Sequence, residues 1–411
     1  MSEQSGFLAR YWRGEIALPI SFWLVNFTAN ITLGVILSLI FRAVETSGTY
    51  HPLVIFITLA AAWVSIIIIQ AWQYVGVWRS AGIYLSQHRG SRRFLAYLAQ
   101  LMVCVGVVAT IPIFAQQSLP QFIEVFKIAF SNDPDIPDYA IRLSDDKEEI
   151  HVSGGFKYGL AKDLRRQIEA APTVRVIVLE STGGRVGEAE AVFDLLIEKQ
   201  LSTAVNDGCE SACALAFLGG KNRWLGLTGQ IGFHRGHFVG LNANQMVDAA
   251  RSFENRITQL SGVPVLFFQK AGKVDNDDMW YPTRNELLKN RIITARFSLA
   301  PSSIREFNEI ARQVEASLRN YFPQEISPGI TFVQFNVSNN NFIYTLILDP
   351  RQISKADFLS SSGDMKRDLS EQICAHVDMR ALIEAGVIYH HRFFYGNQDG
   401  EVFLFTDSEC K

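Results

Sequence analysis

The sequence predicts an α/β protein in three parts: a three-helix transmembrane anchor, a domain of βαβ units, and a small α+β C-terminal domain closed by a disulfide. Three observations predict it. Charged residues nearly vanish from the first third of the chain. From residue 150 short apolar runs alternate with amphipathic helical patterns, and past residue 297 a helix gives way to strand pairs around Asn- and Gly-rich turns. The expected boundaries are 1–123 for the membrane domain, 124–149 for a linker, 150–296 for the βαβ domain and 297–411 for the accessory domain.

The chain has 411 residues, 48% of them hydrophobic and 19% charged, with a formal net charge of −3. Such a composition excludes a disordered or nucleic-acid-coating protein. The average hides an uneven distribution. Residues 1–123 hold only Glu3, Arg10, Arg13, Glu15, Arg42, Glu45, Arg79, Arg89, Arg92 and Arg93 of the 38 basic and 41 acidic residues. This leaves charge-free intervals at 16–41, 46–78 and 94–123. Each exceeds the roughly 20 residues that cross a hydrocarbon core of about 30 Å. A core helix of such length would show a polar face, and the run at 66–69 is apolar all round. The first interval follows Arg10 and Arg13 without a small-residue cleavage site, so it reads as a retained span rather than a signal peptide.

Arginine placement orients the spans. The loop between spans two and three carries Arg79, Arg89, Arg92 and Arg93, whereas the loop between spans one and two carries Arg42. Cytoplasmic loops are the Arg-rich ones, which predicts a cytoplasmic amino terminus and, after three spans, a location outside the cytoplasm for everything that follows. Trp12, Trp23, Trp72, Tyr74 and Trp78 fall near the span ends, where interfacial aromatics collect. The expected setting is a multi-pass protein of the cell inner membrane, with the lipid bilayer as one partner and no nucleic acid.

Cys104 lies within the third span, and the remaining cysteines are Cys209, Cys213, Cys374 and Cys410. An even number in an oxidising compartment favours disulfides, and four cysteines allow three pairings. Spacing favours Cys209 with Cys213 and Cys374 with Cys410, each pair inside one domain. Free thiols and a zinc site are the rival readings, although no second CxxC or HxxxH accompanies them. No metal and no cofactor is expected.

Residues 124–149 contain Pro134, Pro137 and a charged run at 145–149, hence the linker. A strand is expected at 150–152, then a helix at 157–170 with Leu160, Leu164 and Ile168 on one face. A buried strand follows at 174–179, then a helix at 187–199, a strand near 202–206 and a short helix from Ser211. In parallel sheets, chemistry gathers where strand ends meet helix amino termini. Gly183-Gly184 sits at one such place, where glycine lets backbone amides approach a ligand. Cys209-Glu-Ser-Ala-Cys213 sits at another and puts Ser211 at a helix start. A serine there is most often an N-cap. As a nucleophile it needs a base and oxyanion donors, and His234, in Gly232-Phe-His234, follows 23 residues later. Asp275, Asp277 and Asp278 are candidates to orient the imidazole. His237 would face the opposite side of a strand from His234, which makes it a poor second base.

In this order of motifs the sequence resembles the Clp protease proteolytic subunit and its relatives in the ClpP/crotonase fold, over roughly residues 145–296. The resemblance rests on Ser181-Thr-Gly-Gly-Arg-Val186, on the Ser-Ala step at 211–212, on Gly232-Phe-His234, and on Asp278-Met-Trp-Tyr-Pro-Thr283 followed by Glu286-Leu-Leu-Lys-Asn290-Arg-Ile-Ile293. The Cys-x-Ser-x-Cys around the serine is similar to a periplasmic, membrane-anchored ClpP-like subgroup. The resemblance implies Ser211 as nucleophile, His234 as general base and acid, and Asp278 as the group that fixes the imidazole tautomer, with Asp277 as its competitor. It implies an oxyanion hole from the amides of Gly184 and Ala212, with Gly183 lining the substrate site. Asn290 stands where the family usually has Gly.

In the last domain, Ile304, Phe307, Ile310, Ala311, Val314 and Leu318 form a helical face that starts at Ser302 or Ser303. Runs at 331–337 and 342–348 flank Ser338-Asn-Asn-Asn341 as a hairpin, and runs at 387–395 and 401–406 flank Gly396-Asn-Gln-Asp-Gly400 as a second, after a helix near 378–385. The function expected is a membrane-anchored serine peptidase acting on peptide or protein substrates outside the cytoplasm, with homo-oligomeric assembly implied by the family. The alternative is a catalytically inactive ClpP-like scaffold that binds peptides or proteins.

Overall fold

A computed structural model of the chain describes residues 6–46, 51–237, 243–396 and 398–410. Residues 47–50, at the head of the second charge-free interval, and Asn397, inside the second expected hairpin, lie outside the described residues. The chain forms two units, one of residues 1–135 with 238–245 and the other of residues 136–237 with 246–411.

The first unit is helical: α1 (Phe7–Trp12), α2 (Asn26–Thr46), α3 (Pro52–Gln87), α4 (Phe94–Ile113) and α5 (Leu119–Phe130). Three stretches, Ile20–Ala43, Pro52–Gln87 and Gly90–Phe130, are long and apolar enough to cross a membrane. Their apolar side chains point outward, as lipid-facing helices require. Tyr11 pins α1 to α3. Its ring fills the space that the absent side chain of Gly76 leaves, and its hydroxyl donates to the backbone carbonyls of Gln73 and Ser21 at 3.3 and 3.4 Å.

The second unit carries two sheets of five strands. The first is built from β1 (Tyr139–Leu143), β2 (Glu149–Gly154), β3 (Val176–Glu180), β4 (Ser202–Val205) and β6 (Arg223–Leu225), in that order. β1 pairs antiparallel with β2, and all other pairings are parallel. The crossovers run through α6 (Leu160–Ala170), α7 (Val186–Lys199) and α8 (Ala212–Phe217). β3 is buried over four successive residues because both faces of a parallel sheet are covered. β1 lies within the segment that its prolines and charges marked as a linker. A separate parallel pair, β5 (Gly208–Glu210) with β7 (Gln230–Gly232), continues the surface at the carboxyl end of β3. Then come α9 (Ala243–Ser261), α10 (Val265–Ala271) and α11 (Arg284–Lys289). The buried Arg223 ties this region together by donating to the carbonyls of Gly220, Ser261, Arg291 and Ile292. Its burial lowers the guanidinium pKa to about 10, so it stays charged at neutral pH.

The C-terminal part has α12 (Pro301–Leu318) and a sheet of β8 (Gln324–Ser327), β9 (Ile330–Ser338) and β10 (Asn341–Leu348). Beyond α13 (Lys355–Ala375) and α14 (Val377–Glu384), the sheet continues with β11 (Ile388–Tyr395) and β12 (Gln398–Phe405). Both expected hairpins are present as the antiparallel pairs β9/β10 and β11/β12, and a parallel β10/β11 pairing joins them. Phe307, Phe342, Tyr389, Phe393, Phe403 and Phe405 fill the core between sheet and helices. Cys374 and Cys410 are disulfide-bonded.

α12 is fastened to the first sheet through Glu149. This fully buried carboxylate accepts from the Ser302 amide and hydroxyl, both at 3.0 Å, from Arg305 at 3.1 Å and from His151 at 3.2 Å. Burial pushes its carboxyl up, and the bonds from His151 and Ser302 outweigh that and hold it below the usual range.

Candidate active site

Ser181 follows β3 directly, and its amide donates to Gly208 O while its carbonyl accepts from Glu210 N, both at 2.9 Å. This lays the Ser181-Thr-Gly-Gly184 loop along β5. Gly183 and Gly184 have φ of +103° and +144°, a region that side chains avoid. Phe156 pairs with Gly184 as an isolated parallel bridge, donating to Gly183 O at 2.8 Å and accepting from Arg185 N at 2.7 Å. In that geometry the amide of Gly184 points away from Phe156.

Ser211 follows β5 directly, and its amide donates to Gly232 O at 3.0 Å. Its backbone has φ +55° and ψ −121°, strained for any residue with a Cβ. Its hydroxyl makes no capping bond to α8, so the ordinary N-cap role does not account for it. Ala212 is the first residue of α8, and its amide therefore lacks an intrahelical acceptor. Cys209 and Cys213, both fully buried, are disulfide-bonded across the turn with Cα atoms 5.3 Å apart.

The register of β5 on β7 sets Glu210 beside Gly232, so the chain after β7 delivers His234 next to the Ser211 turn. The loop 274–280 wraps His234 from the other side. Arg235 N donates to Val274 O at 3.0 Å, and Phe233 and Trp280 exchange backbone bonds at 2.9 and 3.0 Å. Within this loop Asp275 is held by the Arg235 guanidinium at 2.7 Å, and Asn276 Nδ2 lies 2.7 Å from His237 Nδ1. Asp277 and Asp278 are exposed, and among the described residues no hydrogen bond joins either carboxylate to His234. Glu210 accepts from the Tyr281 hydroxyl at 2.5 Å.

Burial lowers the His234 pKa below the ordinary histidine value, against opposing contributions from the Asn276 side chain, the Arg235 backbone and the Glu210 charge, while His237 acts in the same direction as burial. The imidazole is therefore neutral near pH 7 and able to accept a proton. The four cysteines outside the anchor are bonded to one another and offer no thiolate to a metal. Of the residues singled out in the sequence, Gly183 lies against Ser211 and Ala212, with Gly184 next in the same loop, and His234 stands two residues beyond the Gly232 carbonyl that accepts from the Ser211 amide, whereas Asp278 is exposed. Asn276 carried no sequence signal, because an amide among three aspartates in a loop has nothing to mark it.

No family model matches the chain, and no curated protein matches it. Solved structures with partial likeness include a candidate secreted protein of Pseudomonas aeruginosa, 19% identical, which covers 26% of this chain and 96% of its own with a TM-score of 0.24. They also include an asparagine-to-aspartate mutant of ClpP1 from Listeria monocytogenes, 17% identical, which covers 36% of this chain and 90% of its own with a TM-score of 0.31.

Proposed function

We propose that the chain is a membrane-anchored serine hydrolase with a ClpP-like catalytic domain, cleaving peptide bonds of peptides or proteins on the periplasmic side of the inner membrane. The observation that carries this is Ser211: a serine in strained backbone at a helix start, with no capping duty, flanked by a positive-φ Gly-Gly loop and a neutral histidine.

The chemistry follows acyl-enzyme logic. Ser211 Oγ attacks the substrate carbonyl carbon as His234 removes its proton. The amides of Gly184 and Ala212 donate to the oxyanion that forms. Collapse of the tetrahedral intermediate breaks the C–N bond, and His234 returns the proton to the leaving amine. Water then attacks the ester with His234 again as base, releasing the acid and restoring the Ser211 hydroxyl. The disulfide on either side of Ser211, the arginine-rich loop between spans two and three, and the odd number of spans all favour an oxidising compartment for this chemistry.

Labelling of the purified full chain by a fluorophosphonate tests the proposal. Labelling that disappears in Ser211→Ala and falls at least about 10²-fold in His234→Ala is expected. A folded, oxidised chain that does not label would instead favour a peptide-binding scaffold.

A further inference from the structure

We propose that Asn276 is the positioning residue for His234, holding Nδ1–H so that Nε2 is left to accept the Ser211 proton, and that His237 in turn fixes Asn276. This rests on the reading of Ser211 and His234 as nucleophile and base. Two buried polar atoms carry it. Neither Nδ1 of His234 nor Oδ1 of Asn276 has a hydrogen-bond partner among the described residues, and the loop closure of Arg235 on Val274 and of Phe233 on Trp280 brings the Asn276 side chain to His234, so that a protonated Nδ1 and this oxygen would satisfy each other. The other end of the Asn276 amide is already committed, since Nδ2 lies 2.7 Å from His237 Nδ1. With Nδ2 turned to His237, the end of the amide that is buried and without a partner is its carbonyl oxygen, and a carbonyl oxygen offered to His234 selects the Nδ1–H tautomer.

The carboxylates of the same loop are placed otherwise. Asp275 is engaged by Arg235 at 2.7 Å, and Asp277 and Asp278 are exposed. His234 is thus oriented by a neutral amide, as in cysteine proteases with a Cys-His-Asn set. The charge that favours its protonated form comes from Glu210, on the strand that carries the nucleophile, and His237 opposes it.

The test is the pH profile of fluorophosphonate labelling for the full chain and three variants, with the imidazole tautomer read by nitrogen NMR on histidine-labelled protein. Asn276→Ala should lower the maximal rate about 10²-fold and convert His234 from the Nδ1–H form to a tautomer mixture. Asn276→Asp should restore much of the rate and move the midpoint upward by about one pH unit, because a carboxylate beside the ring favours its protonated form. Asp278→Asn should stay within about twofold of wild type, as an exposed charge in water acts weakly. Loss of labelling in Asp278→Asn with Asn276→Ala unchanged would overturn the assignment. If the wild-type chain never labels, the hydrolase reading fails, and the tautomer decides Asn276 separately: Nδ1–H that persists in Asn276→Ala refutes it.

Discussion

A Cβ added to Gly183 would stand 2.8 Å from the Cβ of Ser211, closer than real side-chain carbons approach one another. The same added carbon would meet Glu210 O at 2.9 Å and Ala212 N at 3.1 Å, so the Gly-Gly loop lies directly on the serine turn. Gly183→Ala is therefore expected to leave the fold intact while displacing the loop, with a loss of labelling of about 10-fold or more from oxyanion donors moved out of place. Equal rates in Gly183→Ala and wild type would show that the loop plays no part.

Ser211 holds backbone dihedrals that cost on the order of 1–3 kcal/mol for a residue with a side chain. Ser211→Gly should abolish labelling and at the same time raise resistance to denaturant by about 1 kcal/mol. A glycine variant less stable than wild type would mean the turn is not strained.

Cys209 and Cys213 clamp the residues on either side of the nucleophile. Selective reduction, or Cys209→Ala with Cys213→Ala, should cut labelling strongly, whereas removal of the distant Cys374–Cys410 bond should not. The latter closes a loop of 36 residues and should instead cost about 3–4 kcal/mol of stability in the chain-entropy account. Thiol counting by mass before and after reduction monitors both bonds.

His234 titrates below the ordinary value of 6.5, so labelling should rise with pH through a midpoint under 6.5 and be level from pH 7 upward. Glu210 raises this pKa, and Glu210→Gln should shift the midpoint further down. An upward shift would reverse the sign of the interaction.

In the C-terminal domain, burial lowers the His391 pKa from 6.5 to about 4. Above pH 6.5 the ring is neutral in both folded and unfolded chains, and nothing is lost. Between pH 6.5 and about 4 the unfolded chain binds the extra proton, so stability falls, by up to roughly 3 kcal/mol. Chemical unfolding across this window should show a smaller loss in His391→Phe than in wild type, the remainder coming from groups such as His234 that are depressed in the same direction.

Much of the arrangement was legible in the residues themselves. The charge-free intervals marked the membrane-length helices, and the alternation of apolar runs with 3.6-period faces marked β3, α7 and β4, because buried parallel strands and amphipathic helices leave opposite signatures. Other elements gave none. α13 carries Ser360-Ser-Ser-Gly363 in its interior, a composition that reads as loop and is made helical by burial of Phe358 and Ile373 in the core against the sheet. β1 hides between two prolines and a charged run because it needs only one apolar face against β2. At the site, Ser211, His234 and the glycines stood out by residue type and spacing, whereas Asn276 is marked only by the unpartnered buried atoms that it and His234 leave within one loop closure.

Glu149 gives the accessory domain a consequence for how the chain is handled. Three of its bonds come from Ser302 and Arg305, beyond the end of the expected catalytic domain. A chain cut after residue 296 would strip the Glu149 carboxylate of these donors and of the segment that lies over it, leaving β2 of the first sheet without its polar fastening. The shortest soluble piece worth expressing therefore runs through α12, and a stop codon that looks harmless on a domain map would fall inside the hinge pin of the molecule.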